Sequence, residues 1–432
     1  MNALKRLLKQ RQQHSQEESE IMNTMVTEAA IVMDFIDTSD EPQGRGSRRG
    51  KSPNHQRQRL SRGKNLMEDY FVDRPIFSED DFHRRYRMRP HIFNRIKTAL
   101  CTQDSYWHQK ADAVGLLGLL PQQKMTAALR MLAYGAAADQ CAEICRMRES
   151  TTLECMKKFC EQVEGLFGKE YLRAPTLADL RRLLARGEQR GFPGMIENID
   201  CMHWEWKNCP SGWGGAYSGR KGRPTIILEA VASYDTWVWH TFFGEPGAQN
   251  DINVLGQSPV FGKRYNDAYY LADGIYPRYS TFVKTISNPA TQTHKLFAKK
   301  QESYRKDVER CFGILQSRWA ILRHGARMHK RSTLRSIMMT CIILHNMIVE
   351  DEFVEDEFVE SVEKDLMNPL ASRVYDGPVD CNGVRIPFAP VQRDGRNQQA
   401  FWDRIENLES AYVHTMLQND LVEHNWALEA NE

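Results

Sequence analysis

Three carboxylates between residues 194 and 325 have the types and spacing for phosphodiester chemistry. Asp200 sits in Ile199-Asp200-Cys201-Met202-His203-Trp204, and Asp273 in Tyr270-Leu271-Ala272-Asp273-Gly274-Ile275-Tyr276-Pro277. Glu309 sits in Arg305-Lys306-Asp307-Val308-Glu309-Arg310, with thirty-five residues between Asp273 and Glu309. Magnesium and manganese favour hard oxygen ligands. Two such ions about 3.5–4 Å apart can activate an attacking water or hydroxyl and stabilise the leaving oxygen. The first two acids read as strand-end residues and the third as a helix residue. Asp251 competes with Asp273 as the second ligand, because it too follows a Gly-rich turn, Gly244 to Gly247. The apolar run before Asp273 favours Asp273, whereas Asp251 reads as the cap of the helix after it. Asp307 lies two residues before Glu309 and on a helix points away from it.

The elements that must position these acids follow from hydrophobic periodicity. Strands are expected at Ile196–Trp206, Thr225–Tyr234 and Trp237–Phe243, the last two joined by a turn at Asp235-Thr236. A helix over Asp251–Val260, a short buried strand at Tyr269–Ala272 and helices over Ser303–Ala320 and Thr333–Val349 follow. This order implies an α/β class: a ribonuclease-H-like mixed-sheet catalytic core, in which the first and fourth strands are neighbours. His203 falls on the opposite face of its strand from Asp200 and reads as a hydrogen-bonded structural histidine. The tryptophans nearby (204, 206, 213, 237, 239) read as core, with Trp213 in a Gly-rich loop where it could stack on a base. Lys221, Arg220 and Arg223 in that loop could meet phosphate or solvent.

Before this core the pattern is helical. Phe82, Tyr86 and Phe93 alternate with arginines, as basic surface or as snorkelling side chains. Helices over Lys124–Tyr134, stopped by Gly135, and Asp139–Met147 precede a third that opens on the capping-box pattern Thr151-Thr152-Leu153-Glu154. The trio resembles a helix-turn-helix whose third helix would read DNA, with Arg148, Lys157 and Lys158 near the duplex. Cys141, Cys145, Cys155 and Cys160 lack a zinc-knuckle spacing and read as buried small residues.

A net charge of +2 hides two opposed blocks. Residues 42–64 hold eight Lys/Arg and no acid, whereas residues 350–366 hold nine Asp/Glu and one Lys. The first block reads as a disordered arm whose arginines, Arg45, Arg48 and Arg49 among them, could contact phosphates or serve nuclear import. The expected organisation is a basic arm over 1–65, a helical helix-turn-helix-like domain over 66–190 and the catalytic core over 191–350. An acidic linker and loop over 351–397 and a C-terminal amphipathic helix over 398–432 complete it. That helix would dock through Phe401, Ile405, Leu408, Tyr412 and Met416. No apolar run reaches a membrane span, the N-terminal apolar stretch is too short for a secretory signal, and the cysteines are expected as reduced thiols inside the cell.

Long motifs then add a resemblance. Ile199-Asp-Cys-Met-His-Trp-Glu-Trp-Lys-Asn-Cys-Pro210, Asn250-Asp-Ile-Asn-Val-Leu255, Tyr270-Leu-Ala-Asp-Gly-Ile-Tyr-Pro277, Arg305-Lys-Asp-Val-Glu-Arg310 and Cys341-Ile-Ile-Leu-His-Asn-Met347 resemble the PIF/Harbinger transposases of the plant-transposon-protein type. Gln123-Lys-Met-Thr-Ala-Ala-Leu-Arg-Met-Leu-Ala-Tyr-Gly135 continues the likeness upstream. The resemblance implies a catalytic triad of Asp200, Asp273 and Glu309 holding Mg²⁺ or Mn²⁺. The implied activity is a DDE transposase or endonuclease that cuts at transposon ends and transfers the strand to target DNA in the nucleus. It also implies a Myb-like DNA-binding partner protein, and the joining of two ends implies a homodimer. Two features depart from the pattern: Glu197-Asn198 stand where a small pair is expected, and the segment from Phe261 to Tyr269 is short. They leave a second reading, a domesticated, catalytically inactive DNA- or chromatin-associated adaptor.

If the arm contacts phosphates, deleting residues 42–64 is expected to flatten the salt dependence of DNA affinity by several counterions. Filter binding across a salt series measures the slope, and an unchanged slope rules out those contacts.

Overall fold

The computed structural model describes residues 57–262, 268–352 and 411–430. Arg45, Arg48, Arg49 and the acidic segment from residue 353 to 410 lie outside them. From Arg57 onward the chain forms one compact unit. The first helix, α1 (Arg59–Tyr70), begins inside the stretch that the sequence reads as an arm reaching residue 65. Two of its arginines are structural: Arg59 Nε donates to the Leu117 carbonyl and Arg62 Nε to that of Ile144, each at 2.9 Å.

The helical half continues with α2 (Glu79–Tyr86), α3 (Pro90–Gln103), α4 (Pro121–Tyr134), α5 (Ala138–Cys145), α6 (Glu149–Tyr171) and α7 (Leu177–Gln189). Phe82, Tyr86 and Phe93 pack with Tyr70 and Phe71 in an aromatic cluster, and Arg85 lies 3.9 Å over the Phe77 ring. The arginines among them are therefore snorkelling side chains at the margin of a core. Helix α4 ends where Gly135 adopts a left-handed φ of 60°, a conformation that glycine enters without steric cost. Helix α6 starts at Glu149, before the expected capping box, so Thr151–Glu154 lie within its first turns. Thr152 is buried and bonds back to the Arg148 carbonyl at 3.2 Å.

The sheet has five strands, β1 (Met195–Glu205), β2 (Thr225–Ala232), β3 (Val238–Pro246), β4 (Tyr269–Leu271) and β5 (Phe282–Val283), in the order β3-β2-β1-β4-β5. The first three are antiparallel neighbours, and β4 and β5 add in parallel. The β2–β3 turn falls at the expected Asp235-Thr236, with Thr236 at φ 68° and Ser233 N–H bonded to the Trp237 carbonyl. Helix α8 (Asp251–Gln257) precedes β4. Three long or short helices follow the sheet: α9 (Gln292–Arg318), α10 (Ala320–His324) and α11 (Arg331–Glu352).

Two apolar layers sandwich the central strands. On one side Met202, Trp204, Leu228 and Ala230 share a core with Val308, Cys311 and Leu315 of α9 and with Ile337, Cys341 and Leu344 of α11. The same core runs without interruption into Phe93, Met125 and Phe159 of the helical half. On the other side Ile199 and Val231 pack with Leu255, Val260, Tyr276 and Phe282. Helix α11 is long and apolar enough to cross a membrane, yet most of it is buried here. Its end is helical to Glu352 rather than linker, and Asp351 and Glu352 pair with His91 and Arg318.

Asn346 of α11 ties the halves together. Its amide donates at 2.8 Å to the carbonyls of Tyr171, at the end of α6, and Val238, at the start of β3, while its oxygen accepts from Val238 N–H at 3.0 Å. The last described helix, α12 (Ala411–Glu429), docks on this chain through Leu421 and Val422 against Phe192, Tyr269, Val283 and Phe297. The expected face is not the buried one: Tyr412 is 73% exposed and Met416 46%. Phe401, Ile405 and Leu408 lie outside the described residues. Asn425 anchors the helix to the Gly191 carbonyl at 2.8 Å. At Gly191, with φ 83°, a Cβ would stand 2.4 Å from the Asn425 oxygen.

Replacing Asn346 with Ala leaves three buried backbone groups without partners. The expected loss is on the order of 3 kcal/mol, given about 1–3 kcal/mol per orphaned group. Urea unfolding checks it, and a loss below about 1 kcal/mol contradicts this role for the amide.

Candidate active site

The parallel pairing of β1 with β4 fixes the site. Asn198 stands opposite Leu271. Two residues further along each chain come Asp200, which lies midway along β1 rather than at a strand end as the sequence suggested, and Asp273, just past the end of β4. Helix α9 crosses the sheet on the side of Met202, whose sulfur accepts from Gln316 Nε2 at 3.1 Å. The buried stripe of α9 runs through Gln301, Arg305, Val308 and Phe312. Glu309 lies at the edge of that stripe, its side chain 44% exposed. Gln301 fastens the helix to the site's base by donating to the carbonyls of Ala272 and Val283 at 3.2 and 3.0 Å.

These groups lie within one another's electrostatic reach. Burial pushes the Asp200 carboxyl up to about 6. The Cys201 N–H bond opposes this at 2.8 Å, the charge of Asp251 adds to it, Arg305 opposes it and Glu309 adds again. Asp251 is also raised, first by burial; His203 and Arg220 draw it back and Asp273 pushes it up. Four carboxylates thus share one field. Arg305 is the cation among them: Nη1 meets Glu309 at 2.7 Å and Nη2 meets Glu302 at 3.1 Å, and the charge of Asp273 acts on it too. Lys284 lies within reach of the Asp273 charge from β5's end.

Asp251 does not cap α8; Asn250 does, accepting from Asn253 N–H at 2.8 Å, and Asp251 is the first helical residue. It is thereby free to face the sheet, where it couples to Asp200, Cys201 and His203. The sequence signal was the Asn250-Asp251 pair, in which either residue could cap. Asp307 points away from the site as expected and forms a buried pair with Arg190 at 2.5 Å. His203 bonds Thr225 through Nδ1 at 3.0 Å, in line with a structural role.

The expected DNA contacts fall in several places. Lys221 is exposed in the loop between β1 and β2, beside Arg220, whose charge reaches Asp251 and His203. Trp213 packs on Trp206 and Tyr217 within that loop, so its ring belongs to a local aromatic stack. Lys157 pairs with Glu161 at 3.9 Å. Lys158 pairs with Asp104 at 3.8 Å and lies over Tyr106. Arg148 precedes the first turn of α6. Helix α6 itself is a core helix, burying Met156, Phe159, Val163 and Phe167, and its exposed strip alternates Glu154, Lys157 and Glu161. Cys141, Cys145, Cys155 and Cys160 are all buried thiols.

The donor types at the sheet end fit a hard divalent cation, since all are carboxylates and their mutual repulsion calls for positive charge. Their arrangement does not yet complete such a site. Among the described residues no group of three or more His, Cys, Asp or Glu stands close enough to hold a metal ion. Glu309, the outermost of the three, is engaged by Arg305.

Comparison with known proteins bears on this geometry. Residues 169–356 match the family described as "Plant transposon protein", and residues 63–100 match a domain of unknown function. A Bos taurus protein named "Putative nuclease HARBI1" is 21% identical over 236 residues, covering 52% of this chain and 66% of the relative. An Arabidopsis thaliana protein named "Protein ALP1-like" is 26% identical over 254 residues, covering 52% of this chain and 60% of the relative. The chain thus spans less than two thirds of the length of these curated relatives. No solved structure matches it.

The crowding at Asp200 has a measurable sign. Its carboxyl is raised to about 6 in the folded chain from 3.8. Its contribution to stability is full below the unfolded value and is lost as pH rises through the folded one. Asp200→Asn removes that loss, so near neutral pH the variant is expected to be more stable than the parent by on the order of 2–3 kcal/mol. The gain fades toward about pH 4. Urea unfolding at both pH values measures it; equal stability at neutral pH contradicts the crowding.

Proposed function

Because this chain is a Harbinger-type transposase-like protein, we propose that it is a DNA endonuclease that cuts at transposon ends and joins them to target DNA. Asp200, Asp273 and Glu309 are the proposed catalytic acids. The observation that carries the reading is the parallel pairing of β1 with β4, which sets Asp200 and Asp273 two residues past one paired position, beside α9, the helix that bears Glu309. The strand order β3-β2-β1-β4-β5, with the last two strands parallel to the first, supports a ribonuclease-H-like core. In such a core the acids of the first and fourth strands meet a helix acid. β4 pairs with β1 despite the short segment before it, part of which (263–267) lies outside the described residues.

Mg²⁺ or Mn²⁺ bound by Asp200, Asp273 and Glu309 would supply Lewis acidity to the scissile phosphate. The chain's own residues divide the remaining work. Asp200, half-buried midway along β1, has its charged form disfavoured and so favours a neighbouring cation. Asp273 is held by its own turn, its carboxylate accepting from Gly274 N–H at 2.6 Å. Glu309 is the solvent-facing acid and the one a DNA strand meets first. Arg220 and Lys221 in the β1–β2 loop are suited to phosphate oxygens beside that opening, and Arg148, Lys157 and Lys158 to more distant backbone contacts. The arm with Arg45, Arg48 and Arg49 adds sequence-independent affinity. Strand transfer at two ends calls for a homodimer, and recognition of a particular end for a Myb-like partner in the nucleus.

Cleavage of terminal-repeat DNA by the purified chain in Mg²⁺ or Mn²⁺, with its partner present, tests the proposal. Asp200→Asn and Asp273→Asn are each expected to lower cleavage at least about 100-fold, the scale of losing one preorganised charged group, while leaving DNA affinity in place. If Asp273→Asn cleaves as well as the parent, the assignment is wrong. DNA binding without any metal-dependent cleavage is the outcome that the inactive-adaptor reading predicts.

A further inference from the structure

A second concentration of charge stands beyond the C-terminal end of β1. No acid occurs between Glu309 and Glu350, and within that span residues 323–331 hold four Lys/Arg and two His. Other arginines of the span are matched: Arg318 pairs with Glu352 and Arg335 with Glu164, while Arg331 donates to the Gly244 carbonyl. Arg323 and Arg327 are exposed and pair with no acid among the described residues, and the same holds for Lys207 just past β1. The acid at this corner, Glu205, is taken by Arg223 at 3.6 Å.

The loop that bears these cations is fixed to the sheet. Ala326 bridges to Trp206 on the edge of β1 away from β2. Its N–H donates to the Glu205 carbonyl at 2.7 Å, and its carbonyl accepts from Lys207 N–H at 2.9 Å. The Trp206 indole N–H donates to the Met328 carbonyl at 2.8 Å, and the Asn208 amide to that of Arg327 at 2.6 Å. Gly325, at φ 83°, permits the approach, since a Cβ there would stand 3.1 Å from the Glu205 carbonyl oxygen. Lys207 and Arg327 are thus held on adjoining backbones, with Arg323 in α10 just before them. Like charges on a fixed scaffold repel, and a polyanion relieves that repulsion without first having to order the loop.

We propose that Lys207, Arg323 and Arg327 form a ridge that binds the phosphate backbone of duplex DNA. The inference takes DNA as the polyanion from the endonuclease reading and adds a surface that needs no metal. β4 pairs with β1 as far as Asn198, and Ala326 joins the same edge at Trp206, so Asp200 lies on the stretch between them. Trp206 is six residues beyond Asp200, about 20 Å of extended chain. At about 3.4 Å per base pair, a duplex anchored on the ridge passes Asp200 about six base pairs away. Contacts to phosphate alone add affinity without choosing a sequence.

The test is fluorescence anisotropy of a labelled DNA duplex titrated with the full chain in EDTA across a salt series. Replacing all three cations with Ala is expected to lower the slope of log affinity against log salt by about 2.7, at about 0.9 per phosphate contact, and each single Ala variant by about 0.9. The loss is expected to be equal for terminal-repeat and unrelated duplexes. Lys207→Arg combined with Arg323→Lys and Arg327→Lys is expected to keep the parent's slope. The side chains are exposed, so the melting temperatures are expected to match. Ala variants that bind DNA with the parent's slope overturn the ridge and leave the endonuclease reading intact, and a loss confined to one sequence overturns contact through phosphate alone. A parent chain without salt-dependent DNA binding overturns both.

Discussion

Carboxylates brought out of water at one end of a sheet repel each other, and the candidate site is organised by how the fold answers that repulsion. Asp200 bears most of it. It sits midway along β1, paired with Ala230 of β2 and two residues beyond the last β1–β4 pair, Asn198 with Leu271. Burial alone disfavours its charged form, and Asp251 and Glu309 add to the penalty. The chain answers with one buried guanidinium, that of Arg305, and with backbone and histidine contacts at the margins. Such an arrangement costs stability and is retained at places where charge is needed for chemistry.

The remainder of the structure keeps that crowded end rigid. Helix α9 is held along its length: Gln301 bonds to the chain on either side of Asp273, and Val308, Cys311 and Leu315 lock into the sheet. Helix α11 fills the space behind it, and its Asn346 joins the ends of α6 and β3 through three hydrogen bonds. Helix α12 covers the β4–β5 edge by packing on Tyr269 and Val283. One apolar cluster runs from the N-terminal helices into the sheet. A strain at the sheet end is therefore resisted by the whole unit.

Much of this was legible in the residues. Strands β1 to β3 and their turn stand out through alternating Ile, Val and Trp, and the run Tyr269-Tyr270-Leu271 marks β4. What escaped had local causes. The first turns of α9, Gln292 to Glu302, are mostly polar and lack a periodic apolar face, so the helix starts eleven residues before the expected Ser303. Strand β5 has two residues and forms only by pairing with β4. For α12, two faces carry apolar residues, and the choice between them is made by the shape of the β4–β5 edge rather than by period. The roles of Asp251 and Arg305 depend on contacts between elements distant in sequence. Spacing shows that Arg305 can reach Glu309, but the burial that makes the pair matter is a tertiary property.

A crystal of the full chain soaked in Mn²⁺ and measured by anomalous scattering addresses the acid cluster itself. The expected result is an Mn²⁺ peak between the carboxylates of Asp200 and Asp273, with Glu309 turned toward it and away from Arg305. Mn²⁺ ordered only elsewhere, or an unoccupied sheet end with Glu309 still on Arg305 at saturating metal, would contradict the reading of these acids as one divalent-cation site.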